Sequence, residues 1–170
     1  ITVIIETGDS GPVSPIGINL PNELDIREDH GSKSVNLSNV VEAYDRASAG
    51  GSAGEFAWTP EEVERARKYG GLSDDVHTNL HEVVGHASGK VLPEVGSNAA
   101  DMLGTYASAL EEGRADLIAL YWIADPKLQE MGIIPHPDAA LAQMEGYARN
   151  ALVQLRRVPE GGQIEQDHMR

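Results

Sequence analysis

A mainly α-helical fold with a short strand-rich leader is what this sequence predicts, and three observations predict it. Clusters of β-branched and apolar residues bounded by Gly and Pro are confined to residues 1–20. From about residue 38 onward, apolar residues recur at helical spacing instead. Helix punctuation accompanies that spacing, most clearly in Thr59-Pro60-Glu61-Glu62, a capping box with proline at the first helical position.

Taken in order, Ile1-Thr-Val-Ile-Ile5 and residues 16–20 read as buried strands. Gly8, Gly11 and Pro12 close the first, and Pro15 and Pro21 bound the second. Residues 25–34 read as a polar turn. Ser38 or Asn39 caps a helix through about Ser48, and residues 50–54, Gly-rich, break it as a linker. The capping box opens a helix that Gly70-Gly71 ends, and a further helix from about Asp74 stops near Gly89. Residues 98–124 are helical, and 117–123 are apolar nearly all round, as in a buried core helix. Asp125-Pro126 begins a short helical piece ended by Gly132. Pro137 opens an amphipathic helix to about Val158, and residues 164–170 start a last one.

The chain has 170 residues, enough for one domain or a large piece of a bigger protein. It opens with Ile1, not Met, and stops within a helical pattern, so it reads as a segment. Thirteen basic against 27 acidic residues leave a net charge of −14, which repels nucleic acid. There is no cysteine, so His, Asp and Glu are the strong metal ligands at hand. No apolar run approaches a membrane span and no signal peptide is visible, so the expected location is the cytoplasm.

Two motifs carry chemistry. HEVVGH, residues 81–86, resembles the H-E-x-x-H zinc helix with one residue added. Four residues bring a helical side chain back to within about 40° of its start, whereas five overshoot to about 140°. The motif alone is therefore compatible with a zinc site or with two surface histidines beside a glutamate. A one-turn π-bulge eased by Gly85 would absorb the extra residue and return His81 and His86 to one face. Glu82 would then serve as a base.

The second motif, Glu111-Glu-Gly-Arg-Ala-Asp116, is a carboxylate cluster in an otherwise apolar helix. Glu112 and Asp116 lie one turn apart on one face, while Glu111 and Arg114 project elsewhere. A solvated face with internal Glu–Arg pairing accounts for it. So does a buried set of acids compensated by a metal cation. Ser108, Ala109 and Ala115 are small enough to admit another helix.

Together these residues resemble the dipeptidyl peptidase III family of zinc metallopeptidases, with its HExxGH and E-E-x-R-A-[DE] motifs. Gly17-Ile-Asn-Leu-Pro-Asn22 is similar to that family's G-I-N-[IL]-P-N segment, residues 34–44 to the stretch just after it, and Asp167-His168-Met169-Arg170 to its H-M helix. The resemblance implies one zinc ion held by His81, His86 and Glu112, with Glu82 as general base and His168 stabilising the transition state. Glu111 and Asp116 would orient the ligand histidines. Gly17, Asn19 and Asn22 would receive an oligopeptide substrate as an added strand.

The same resemblance implies two lobes around a cleft. Residues 1–40 would belong to a substrate-binding lower lobe and residues 41–170 to an incomplete helical zinc lobe, partnered by the rest of the parent chain. The implied activity is release of dipeptides from the amino terminus of oligopeptides, weak or absent in the segment alone. Two other readings stay open: a non-catalytic zinc-stabilised helical binding module, closed by a fourth ligand such as His30, His77 or His136, and an HExxH-like zinc endopeptidase.

Overall fold

The computed structural model describes residues 2–4, 15–21, 23–47, 52–96 and 99–156. Two strands and a helix come first: β1 (Gly17–Leu20), α1 (Leu24–His30) and β2 (Lys33–Asn36). Helices α2 (Ser38–Ala47), α3 (Ala53–Phe56) and α4 (Pro60–Leu80) come next. A π-helical segment, His81–His86, continues α4 without a break. Beyond a short 3₁₀ turn at Pro93–Val95 come α5 (Ala99–Leu103), a 3₁₀ turn at Gly104–Tyr106, α6 (Ala107–Ile123), α7 (Pro126–Glu130) and α8 (Pro137–Arg156). The mainly α expectation holds.

Helix α4 starts as its capping residues dictate. Thr59 Oγ1 accepts the amide of Glu62 at 3.4 Å, and the Glu62 carboxylate accepts the amide of Trp58 at 3.1 Å. The expected break at Gly70-Gly71 does not occur. Neither glycine adopts a positive φ, and Tyr69, Ser73 and Val76 are buried on either side of them. Tertiary packing overrides the weak helix propensity of a glycine pair. The two helices read from the sequence are thus one.

The packing partner is α8. Tyr69 and Val76 of α4 join Ile123 of α6, Ile134 and the α8 alanines Ala139, Ala140 and Ala142 in one apolar cluster. Each large apolar side chain fully removed from water contributes about 1.5–3 kcal/mol, and the alanines let the backbones approach. Ion pairs flank the seam: Arg65 with Glu145, and Arg149 with Glu62 at 3.2 Å, the Arg149 side chain only 7% exposed.

Helix α6 departs from the buried-all-round expectation. It buries Ala115, Asp116, Ala119 and Ile123, whereas Leu117 and Tyr121 are 68% and 70% exposed. The buried face is the one with small side chains, because α4 and the π segment press closely there.

The leader also differs from its reading. Residues 2–4 form no strand. Val3 is bound front and back by the Asn39 amide, at 3.0 and 2.9 Å, in place of a neighbouring strand. β1 pairs antiparallel with β2, Gly17 opposite Asn36 and Leu20 opposite Lys33, and its Ile18 and Leu20 face outward. The polar turn expected at 25–34 is α1 and the start of β2. Its helix signals are Asp25 in the first turn, Arg27 and His30 in the last, and Gly31 beyond, whose φ of 78° favours glycine. Of the expected linker, Ala53 and Gly54 lie in α3, and the rest of it apart from Ser52 falls outside the described residues. The last expected helical start, at 164–170, does too.

Candidate metal centre

The π segment is the local widening that the extra residue requires. Six residues, His81–His86, form it, and it brings both imidazoles to one side with ring centroids 4.6 Å apart. His81 Nε2 lies 3.2 Å and His86 Nε2 3.6 Å from the same oxygen, Oε2 of Glu112 on α6. Donors about 2.0–2.2 Å from a tetrahedral zinc ion stand about 3.3–3.6 Å from one another. All three atoms have zinc-type chemistry, and each nitrogen stands at approximately that spacing from the carboxylate oxygen.

The opposite ring nitrogens are held by two other carboxylates. His81 Nδ1 meets Asp116 Oδ1 at 2.7 Å, and His86 Nδ1 meets Glu111 Oε1 at 3.0 Å. An ionised carboxylate only accepts, so each Nδ1 carries the hydrogen and each Nε2 faces Glu112. Helical geometry alone points Glu111 elsewhere. It reaches His86 because the segment packs along α6, and Arg114 donates to it at 2.9 and 2.6 Å.

Gly85 has a role the sequence does not reveal. Its expected part is to ease the π distortion, yet its φ is not positive. A Cβ there would stand 2.8 Å from Ala115 Cα and 2.9 Å from Ala115 Cβ. Glycine is required because the two backbones nearly touch, and that approach delivers Glu112 and Asp116 to the imidazoles.

Glu82 is buried against β1. A Cβ on Gly17 would stand 2.8 Å from Glu82 Cγ, so Gly17 leaves the carboxylate its space. The carbonyl of Glu82 accepts from Asn19 Nδ2 at 2.9 Å and Ser34 Oγ at 3.1 Å, and that of His86 from Arg27 Nη1 at 2.6 Å. These donors from β1, β2 and α1 clasp the segment where the regular α-helical ladder gives way to a wider one. Nothing in the sequence singles out Ser34 or Arg27 for these contacts, since each lies far away in the chain from the carbonyl it reaches.

The electrostatics follow from this packing. Burial would lower the pKa of His81, but hydrogen bonds to Asp116 and Glu112 outweigh it and push it up to about 9. Hydrogen bonds to Glu111 and Glu112 push His86 up to about 9 against a smaller effect of burial. Burial would raise Glu111, yet His86 and Arg114 hold it down at about 2. Burial raises Glu82 above the ordinary carboxylate value, with the two histidines opposing. Burial, then Asp116, raises Tyr147, keeping its hydroxyl a donor.

The structure thus brings Gly17, Asn19, His81, Glu82, His86, Glu111, Glu112 and Asp116 to one locus. Asn22 and His168 lie outside the described residues. His77 packs behind His81, with Nε2 3.4 Å from Asp116 Oδ1. His136 stacks on Tyr69 and accepts the Asp138 amide at the start of α8, while His30 ends α1. His77, His81 and Asp116 have donor atoms close enough to share an ion, as do His81, Glu82 and His86, whereas His30 and His136 join no such group among the described residues.

Fold and site together define a class: a mainly helical protein presenting a histidine–carboxylate centre of metal-ligand chemistry. The chain belongs to peptidase family M49, whose model matches residues 7–101. It is similar to dipeptidyl peptidase 3 of Mus musculus, 30% identical over 72% of this chain and 20% of that protein. Dipeptidyl peptidase 3 of Nematostella vectensis is 39% identical over 52% of this chain and 11% of its own length. A solved structure of DPP III from Caldithrix abyssi, at 23% identity and a TM-score of 0.66, covers 95% of this chain and 29% of that one, and shows the same fold. The chain spans a fifth or less of the length of these curated relatives.

Proposed function

We propose that this chain forms much of the zinc-binding lobe of an exopeptidase that releases dipeptides from the amino terminus of oligopeptides. The observation that carries the reading is the convergence of His81 Nε2 and His86 Nε2 on one Glu112 oxygen, with both Nδ1 atoms held by carboxylates. One zinc ion held there would act as a Lewis acid, lowering the pKa of a water molecule and polarising the scissile carbonyl.

The chain's own residues do the rest. Glu82, adjacent to His81 and raised by burial, accepts the proton of the attacking water and passes it to the leaving amine. Asp116 and Glu111 fix the imidazoles. Among the described residues β1 pairs only with β2, and an extended peptide would add along its other edge beside Glu82, with Gly17, Asn19 and Asn22 receiving it. His168 would stabilise the oxyanion.

In this reading residues 1–40 are the lower-lobe segment and 41–170 the helical lobe. The remaining chain supplies the groups that bind the substrate's free amine. Three donors with His30 and His136 elsewhere favour catalysis over a closed structural site.

The test uses the full-length protein. One zinc per chain is expected, together with dipeptide release from peptides with a free amino terminus and none from acetylated ones. Absence of stoichiometric zinc at neutral pH would sink the reading, and equal cleavage of blocked peptides would turn it towards an endopeptidase.

A further inference from the structure

Each imidazole of the centre leans on a carboxylate, and a carboxylate positions a ring only if it is itself held. Glu111 is held by the guanidinium of Arg114, from its own helix, through Nε at 2.9 Å and Nη2 at 2.6 Å. Asp116 is held from outside α6. Its Oδ1 takes His81 Nδ1, and its Oδ2 accepts the hydroxyl of Tyr147 at 2.6 Å. Tyr147 comes from α8, a third helix distinct from those carrying His81 and Asp116.

An aspartate bonded through one oxygen still rotates about its last torsion, a soft one, and carries the bonded ring with it. A donor on the other oxygen fixes the carboxylate plane. Asp116 is 8% exposed, so water does not readily supply that donor, and an unmatched charge there is costly. His77, one turn before His81 and 9% exposed, has its ring centroid 5.7 Å from that of Tyr147 and its Nε2 3.4 Å from Asp116 Oδ1. It thus packs beside both the carboxylate and the tyrosine ring.

We propose that Tyr147 is a positioning residue of the metal centre: its hydroxyl locks Asp116, and through Asp116 sets the tautomer and tilt of His81. The two imidazoles are then secured by different means, one by an arginine within α6 and the other by a tyrosine from α8. This inference rests on His81 being a zinc ligand, as proposed above.

The experiment measures zinc affinity by chelator competition in the full-length protein. Tyr147→Phe keeps the ring and removes the hydroxyl. It is expected to raise the zinc dissociation constant about tenfold and, by leaving a buried carboxylate oxygen unmatched, to lower the melting temperature of the metal-stripped protein. In an Asp116→Ala background the same substitution should cost nothing further, because the hydroxyl has lost the group it acts through. An unchanged dissociation constant overturns the inference, as does an effect that adds fully to that of Asp116→Ala. Because stability falls as well, the cycle with Asp116→Ala decides whether the hydroxyl acts on zinc through Asp116. His81→Ala separates the two levels. If it retains full zinc affinity, the ligand assignment itself falls. If it loses zinc while Tyr147→Phe does not, only the role of Tyr147 falls.

Discussion

One continuous helical run, from Pro60 to His86, contains two regions built on different terms. The upstream part, α4, is regular and meets α8 through an apolar seam with ion pairs at its margins. The downstream six residues are π-helical and meet α6 through a backbone contact at Gly85 and a set of carboxylate–imidazole bonds. A seam of apolar side chains tolerates exchange, because volume and area decide its strength. A site that converges on one oxygen does not, because atom positions decide it. Substitutions and titrations on either side of Leu80 put that contrast at risk.

The largest effect belongs to Glu82→Gln. The substitution keeps the shape of the side chain and the donors on the Glu82 carbonyl, and removes only the proton acceptor. A fall in kcat of about a thousandfold is expected, the middle of the range for general base catalysis, with zinc content unchanged. Steady-state kinetics beside metal analysis checks it. Activity equal to that of the parent would remove Glu82 as the base.

Next comes Gly85→Ala. The added methyl meets Ala115 Cα at 2.8 Å, and backbone cannot swing aside as a side-chain tip can. A loss of about 1–3 kcal/mol is expected, the usual penalty of overpacking. Denaturant unfolding measures it. A cost near zero would mean that α6 is free to retreat and that the carboxylates are not held by this contact.

Much of this site is legible in the sequence. His81, His86, Glu112 and Asp116 are identifiable because two local motifs carry them and helical geometry relates residues within a motif. The widening follows from the spacing of the histidines once both are required to face one metal. Tyr147 and Ser34 are not legible, since each acts on a residue far away in the chain and no local pattern marks it. The Gly70-Gly71 break fails for a related reason. Propensity is local, but burial of Tyr69, Ser73 and Val76 against α8 is not. The outward apolar face of α6 escapes the sequence because composition says how apolar a helix is and not which face is covered.

A smaller effect is a pH dependence confined to the downstream region. In the metal-stripped protein both His81 and His86 are raised from the ordinary value of 6.5 to about 9, so folding favours their charged forms. That stabilisation is full below about pH 6.5 and is lost as pH rises through about 9. A fall in melting temperature of about 5 °C is expected from pH 6.5 to 9.5. Zinc needs neutral imidazoles, so the loaded protein should lack this fall. A flat metal-free profile would show that the carboxylates do not engage the rings. Glu111 gives the opposite limb: held at about 2, it contributes above pH 4.5 and its contribution disappears as pH falls through about 2.

Smallest is Gly71→Ala in the upstream region, and its sign matters more than its size. Gly71 is exposed, has no positive φ, and a Cβ there meets nothing within 4 Å. Alanine in a helix interior is favoured over glycine by about 0.5–1 kcal/mol, mainly because the unfolded chain loses freedom. The variant should therefore be slightly more stable, with zinc affinity unaltered, and a melting curve beside a chelator titration checks both. Set against Gly85→Ala, the same chemical change would have opposite signs at two glycines of one helical run. A destabilised Gly71→Ala would mean that α4 uses its glycine pair for something a rigid scaffold does not need, such as bending as the site closes. The contrast between scaffold and site would then have to be redrawn at Gly70, not at Leu80.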